Sequence, residues 1–515
     1  MKDRRYFLIL IVLFVFACEM PSLTSRDIPI PAPTAIVTPT NADAVTTPTN
    51  PIDINTNIIW LTFLEIINPG FGVKITLGKD GNIYVAKTIG VGDETASLME
   101  FDQNGEIKWE TSFAKWEYGN YDDLEVDSKG NILLSGDSTT AWGNPINPYL
   151  ENASTFNAFL AKFDKNGSLL WNTFISDNSG GASISTDKED NIYAVFVEFD
   201  NGISSGLSLV KFNSNGVQEW RKSYTSLVDA TPLDLSVDSN GNILIGGSRG
   251  LGTGDFDCFA SKFANNGDLL WNVYVGIPES ADSCDSTMDV DTNGNIYMAG
   301  VSTKSWGNPI NPFVIHDRAR DYNFFAAKLD GNGRVVWNTF IDDFAHINDL
   351  SLDATGSFLY LVGSGESLIN DESRKDGLIA QMDTDGRLLS KKIIGDEGFD
   401  EIMYLAVGDD QRIYIIGDSS VTFGNPIHPI TSELSFTNLD TYLASISMKD
   451  DEQNAESESL APENNPPGNF LEQLTSGNVL RIILAALCCV GFALLAILAI
   501  VLTSRFFHPG TRKQP

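Results

Sequence analysis

The sequence predicts an all-β protein, a seven-bladed β-propeller built of four-stranded blades, and three observations carry that reading. A phrase with an apolar run, a polar turn and a second apolar run occurs seven times along the middle of the chain. A second hairpin phrase, ending on an aromatic residue, lies between its copies. The last copy lacks its final strand, and a matching strand stands at the start of the repeat region. Composition agrees: the chain has 44 Gly, only 20% charged residues, and enough apolar content (42%) for a large core.

The first phrase runs Leu124-Glu125-Val126-Asp127-Ser128-Lys129-Gly130-Asn131-Ile132-Leu133-Leu134 and returns around Gly81, Asp190, Gly241, Gly294, Gly356 and Gln411. Alternation with a period of two, broken by Asp-x-x-Gly-Asn, is the pattern of a β-hairpin. The second phrase, Ala158 to Ile175, has its turn at Asn166-Gly167 and then Trp171. It recurs with Trp109, Trp220, Trp271 and Trp337, whereas the copy at Asp385 has Ser390 in the Trp position. Two hairpins per repeat make four strands, a to d, and four-stranded units repeated radially are propeller blades.

The seventh copy ends after strand c, at Thr441–Ser447. Ile58-Ile59-Trp60-Leu61-Thr62-Phe63-Leu64 matches Leu169-Leu170-Trp171-Asn172-Thr173-Phe174-Ile175. The N-terminal strand is therefore expected to complete the last blade and close the ring, removing two open sheet edges. Blade 3 departs from the pattern by lacking the Gly after strand b (Phe196-Val197-Glu198), and blade 6 by lacking its Trp.

The phrases at 294–303, 142–148, 306–312 and 169–175 resemble bacterial SBBP-type β-propeller repeats, over about residues 58–449. The resemblance implies a secreted or surface propeller and carries no shared catalytic residues.

Both ends speak to location. Lys2, Arg4 and Arg5, followed by the apolar run Tyr6–Ala17, make a signal peptide over 1–17. Val15-Phe16-Ala17-Cys18 resembles a lipobox, which implies lipidation of Cys18; a plain signal peptide or uncleaved anchor is the other reading. Residues 18–57 form a Pro/Thr-rich disordered spacer, and 450–478 an acidic disordered linker. A transmembrane helix is expected over 479–504, with an uncharged core from Ile482 to Leu502. The tail at 505–515 carries Arg505, Arg512 and Lys513, so the positive-inside rule places it in the cytoplasm and the propeller outside a bacterial cell membrane.

A net charge of −34 repels a phosphate backbone, which excludes nucleic acid and leaves cations, basic proteins and neutral glycans as partners. Catalytic signatures are thin. The four His (His316, His346, His428, His508) show no ligand spacing, and no nucleophile or phosphate-loop motif is present. Asp127, Asp187, Asp238, Asp291 and Asp353 each hold the turn-capping place in their hairpins. The Trp phrases read as packing devices between blades, with no cofactor implied.

Three groups remain as candidate sites. The proline-stiffened loops after strand b carry Trp142, Trp306 and Phe423 as aromatic anchors for a sugar or peptide; the other reading tucks each ring onto its own blade. The d–a loops of the same face hold Trp116, Tyr118 and Tyr121 for a ligand, and Asp122, Asp123, Asp342 and Asp343 for Ca²⁺ or a basic partner; Phe344, Asp396, Glu397, Phe399, Asp400 and Glu401 extend them. Cys258 and Cys284 stand where the start of c meets the end of d, which suits a disulfide in an oxidising compartment.

The function read from these features is a non-catalytic, membrane-anchored binding or scaffold protein. A carbohydrate-active enzyme on a propeller scaffold and an envelope-assembly lipoprotein are the alternatives.

Overall fold

The computed structural model describes residues 58–64, 73–89, 94–116, 119–150, 156–177, 179–200, 203–250, 256–277, 282–284, 288–315, 322–341, 344–366, 375–395, 398–429 and 439–448. Cys18, both spacers, the expected transmembrane segment and the basic tail lie outside the described residues. Among the described residues no helix is long and apolar enough to cross a membrane.

The order of elements is a repeated antiparallel meander. After β1 (Ile58–Leu64) come β2 (Val73–Leu77), β3 (Ile83–Ile89), β4 (Glu94–Phe101) and β5 (Ile107–Trp116). Then follow β6 (Gly119–Val126), β7 (Ile132–Ser138), β8 (Asn157–Phe163) and β9 (Leu169–Asp177). The third group is β10 (Ser179–Thr186), β11 (Ile192–Asp200), β12 (Ile203–Phe212) and β13 (Gln218–Tyr224). The fourth is β14 (Ala230–Val237), β15 (Ile243–Gly250), β16 (Phe256–Phe263) and β17 (Leu269–Val275), and the short β18 (Asp282–Ser283) follows it. The fifth is β19 (Met288–Val290), β20 (Ile296–Ser302), β21 (Asn323–Leu329) and β22 (Val335–Ile341). The sixth is β23 (Phe344–Leu352), β24 (Phe358–Glu366), β25 (Lys375–Asp383) and β26 (Leu388–Ile394), and the chain ends on β27 (Asp400–Val407), β28 (Ile413–Ser419) and β29 (Asp440–Ile446).

Five groups are separate four-stranded sheets, and the fourth and fifth are joined through β18 into one nine-stranded sheet. β1 pairs antiparallel with β29, with Leu61 opposite Ala444 and Phe63 opposite Tyr442, so the start of the chain completes the last sheet. The first strands touch in cyclic order: β2 with β6, β6 with β10, β10 with β14, β14 with β19, β19 with β23, β23 with β27, and β27 with β2. First strands at the centre and last strands at the rim give the radial arrangement of a β-propeller.

Two local devices set this geometry. Each hairpin turn is capped by its own side chain: Asp127 Oδ1 accepts the amides of Lys129 (2.9 Å) and Asn131 (2.8 Å), and Asp238 and Asp291 do the same in their sheets. Four first strands, β6, β14, β23 and β27, also bulge where they face a glycine of the second. A Cβ on Gly136 would stand 2.1 Å from the Asn120 carbonyl. In the third sheet the glycine stands on the other strand, with Gly180 facing Val197 beside the bulge at Gly180/Ser183. That accounts for the departure at Phe196-Val197-Glu198.

Candidate functional site

The proline-stiffened loops do not present their aromatic residues. Trp142 is 6% exposed, Trp306 5% and Phe423 1%, so the rings are tucked onto their blades and are not the ligand anchors expected of them. Each ring packs edge-on against its own sheet, Trp142 on Phe159 at 5.1 Å, Trp306 on Phe325 at 5.2 Å and Phe423 on Tyr442 at 5.1 Å. The rest of each loop turns back along the outermost strand. Ile146 N donates to Asn172 O (2.8 Å) and Phe174 N to Asn147 O (3.2 Å) on β9. Ile310 N donates to Asn338 O and Phe340 N to Asn311 O on β22, while Ile427 N donates to Leu61 O and Phe63 N to His428 O on β1. Asn172 and Asn338 add side-chain bonds from Nδ2 to the carbonyls of Trp142 and Trp306. These loops are edge guards: they occupy the amides and carbonyls that an outer strand would otherwise leave open.

The expected d–a cluster divides differently. Tyr118, Asp342, Asp343, Asp396 and Glu397, and the side chains of Trp116 and Phe344, lie outside the described residues. Tyr121, Asp122 and Asp123 belong to strand β6 rather than to a loop. Tyr121 is buried, donating its hydroxyl to Lys87 O (3.0 Å), so it is no surface anchor. Asp400 is buried, and Asn348 Nδ2 donates to Glu401 Oε1 (2.8 Å). Among the described residues no group of three or more His, Cys, Asp or Glu is placed to hold a metal ion.

What the sequence reading missed is the centre of the ring. In six of the first strands the residue before a buried Ile or Leu (Ile75, Leu124, Ile184, Leu235, Leu350 and Leu405) is, in turn, Lys74, Asp123, Ser183, Asp234, Asp349 and Tyr404. Bulges at Tyr121/Asp123, Pro232/Asp234 and Ile347/Asp349 aim three carboxylates at the neighbouring sheet. Asp123 Oδ2 accepts the amide of Ile184 (2.9 Å), Asp234 Oδ2 that of Met288 (3.1 Å) and Asp349 Oδ2 that of Leu405 (2.9 Å). Asp289, one position along, accepts the amide of Leu352 (2.8 Å). Each of these carboxylates therefore clasps two sheets. The sequence carries the signal as Asp-Leu at 123–124, 234–235 and 349–350.

Ser183 joins two of the clasps. Its hydroxyl lies 3.1 Å from Asp123 Oδ2 and 3.3 Å from Asp234 Oδ1, while its oxygen accepts Leu235 N at 2.9 Å. A hydroxyl has one proton to give, so one of the two carboxyl groups must carry a proton for both contacts to be favourable. The electrostatics agree. Burial raises the pKa of Asp123 against the pull of Lys74, and burial followed by repulsion from Asp123 raises Asp234 well above the carboxylate range. Burial and then Asp123 push Glu125 up to about 8, and burial also raises Asp289. Burial opposes the charge of Lys74, but Tyr404, Asp123 and Asp122 outweigh it and hold that amine charged; its Nζ sits 4.0 Å over the Tyr404 ring.

Cys258 and Cys284 are joined by a disulfide, with Cα atoms 4.8 Å apart. Cys284 follows β18, which pairs with both β16 and β20, so the bond ties the fourth sheet to the fifth instead of closing one sheet on itself.

Neither a family model nor a curated protein matches the chain. Among solved structures it is similar to a hydrazine synthase of Kuenenia stuttgartiensis (12% identity, 69% of this chain and 94% of that one, TM-score 0.47). It is also similar to the polysaccharide lyase Uly1 (12%, 75% and 91%, 0.44) and to the Dos1 propeller (8%, 76% and 96%, 0.41). No activity is carried across from likenesses this distant.

Proposed function

We propose that this chain is a seven-bladed propeller of the SBBP-repeat type, held by a C-terminal membrane helix and an N-terminal lipid on Cys18, and that it serves outside the bacterial cell membrane as a non-catalytic binding or scaffold protein. Seven blades follow from taking the nine-stranded sheet as two. One observation carries the non-catalytic reading: Asp123, Asp234, Asp289 and Asp349, at the centre where an enzyme would place its acids, are engaged in holding sheet to sheet. The guard loops support it too, since their aromatics serve packing and edge protection.

A second reading, a glycan-active enzyme, is favoured by one pair. Burial and then Asp123 raise the Glu125 carboxyl to about 8, and an acid held above its usual range near a second carboxyl group is what acid–base chemistry on a sugar needs. The deciding experiment presents the full-length chain in detergent micelles to a glycan and peptide array, with and without calcium, and assays bound polysaccharides for new chain ends. Binding without cleavage is expected. Cleavage that disappears in Glu125→Gln would replace the scaffold reading with the enzymatic one.

A further inference from the structure

Seven outer strands form the rim, and their edges are treated in two ways. β5, β13 and β26 carry charge along the edge, with Lys108 and Glu110, Arg221 and Lys222, and Lys391 and Lys392. Edge charge is a common means of blocking unwanted strand pairing. The other four strands are uncharged from their Trp through the aromatic or apolar position three residues on: β1 (Trp60-Leu61-Thr62-Phe63), β9 (Trp171-Asn172-Thr173-Phe174), β17 (Trp271-Asn272-Val273-Tyr274) and β22 (Trp337-Asn338-Thr339-Phe340). Three of these four lie under a guard loop. The fourth, β17, does not.

The difference shows residue by residue. Phe174 and Phe340 are each 3% exposed beneath their guards, whereas Tyr274, in the same place, is 45% exposed. Asn172 and Asn338 are buried, and Asn272 is only half-buried. Loop isoleucines reach the turn glycines beside Trp171 and Trp337, Ile146 at Gly216 and Ile310 at Gly386, whereas the atoms nearest Gly333 belong to Trp271 and Val273. The connection that could have served as a guard here, residues 251–255 between β15 and β16, is far shorter than residues 139–156. Among the described residues β17 has no backbone partner besides β16. Ser261 donates to Asn272 Oδ1 (2.7 Å), which leaves the amide nitrogen as the remaining donor, the group that bonds the guard in β9 and β22.

We propose that the outer edge of β17 is a docking site for an extended, uncharged, proline-flanked segment of a partner protein, which adds to this sheet as a fifth strand. The three guards define what fits: a carbonyl for Asn272 Nδ2, an amide and a carbonyl for the backbone of Asn272 and Tyr274, and an aliphatic side chain over Trp271 and Gly333. A second copy of the chain is disfavoured as occupant because each copy carries a net charge of −34.

The probe is a synthetic peptide with the sequence of residues 140–150, titrated onto the full-length chain in detergent micelles, with hydrogen exchange read by mass spectrometry. Saturable binding is expected, with new protection on Asn272–Val275. Val273→Lys should weaken it about ten-fold or more, whereas Glu110→Lys on the charged β5 should leave it within about two-fold. A peptide with Asp in place of its Ile should not bind. Because Val273→Lys could unfold locally, the wild-type exchange map decides independently. No saturable binding, protection on another strand, or a concentration-dependent dimer that already protects β17 without peptide would each overturn the proposal.

Discussion

Along six seams of the rim a tryptophan on the outer strand of one sheet lies on the turn glycine of the next, whereas the seam after β26 has Ser390 in that place and no turn to receive a ring. Trp60 covers Gly105, Trp109 covers Gly167, and Trp171, Trp220, Trp271 and Trp337 cover Gly216, Gly267, Gly333 and Gly386. These glycines have φ between 77° and 87°, and a Cβ on Gly216 would stand 2.7 Å from the Trp171 ring. The last sheet has no such hairpin because its fourth strand is β1, from the other end of the region. Lys392 instead donates to Ser447 O at 3.3 Å. The tryptophan therefore belongs to the seam, not to the blade: it is kept where a neighbour offers a glycine turn and absent where closure by a donated strand removes that turn.

Deleting residues 58–64 should disturb these seams most. That removes the outer strand of the closing sheet and, with Trp60, the first of the six docks. We expect loss of the cooperative thermal transition by circular dichroism; a melt like that of the full chain would mean that closure adds nothing. Next in size is Gly216→Ala. Positive φ and collision with Trp171 together should cost about 2–4 kcal/mol. Gly130→Ala, with a similar φ of 81° but nothing within 4 Å of the new Cβ, should cost only about 1 kcal/mol. Equal losses in chemical denaturation would show that the backbone alone matters and that the docks do not.

The seam between the fourth and fifth sheets has a covalent tie in addition to its Trp dock. Cys258 and Cys284 close a segment with a sequence separation of 26, so reduction should cost about 3 kcal/mol. A dithiothreitol-dependent fall in Tm, absent in Cys258→Ser, checks it. The smallest effect concerns the centre. Folded Glu125 has its pKa raised from 4.5 to about 8, so the folded chain binds a proton that the unfolded chain has released between those values. Stability must therefore decline as pH rises through that window. A fall in Tm on the order of a few degrees from pH 5 to pH 8 is expected, flattened in Glu125→Gln. Parallel profiles for the two proteins would assign the slope elsewhere.

How much of this was legible depended on how local the cause was. The hairpins were, because Asp127 caps amides only two and four residues ahead of it. The closing strand was as well, since Ile58–Leu64 repeats the Trp phrase and pairs as that phrase does. The guard loops were not: whether Trp142 turns out or in depends on the loop meeting Asn172, 30 residues away, through a bond that spacing does not reveal. The central carboxylates escaped for a similar reason. Asp-Leu is visible in three repeats, but only the bulges turn each Asp toward an amide about 55–60 residues further on in the next sheet, one repeat length away.

The pairing of β1 with β29 also has a consequence in time. Ile58–Leu64 is among the first parts of this region to be synthesised, and its partner Asp440–Ile446 among the last. At about 5–20 residues per second, an apolar strand waits tens of seconds with its edge open before a mate exists. Until then it is an aggregation hazard, and ring closure is a late event that long-range loop entropy makes slow. Whatever receives the emerging chain must therefore shield its beginning until its end arrives.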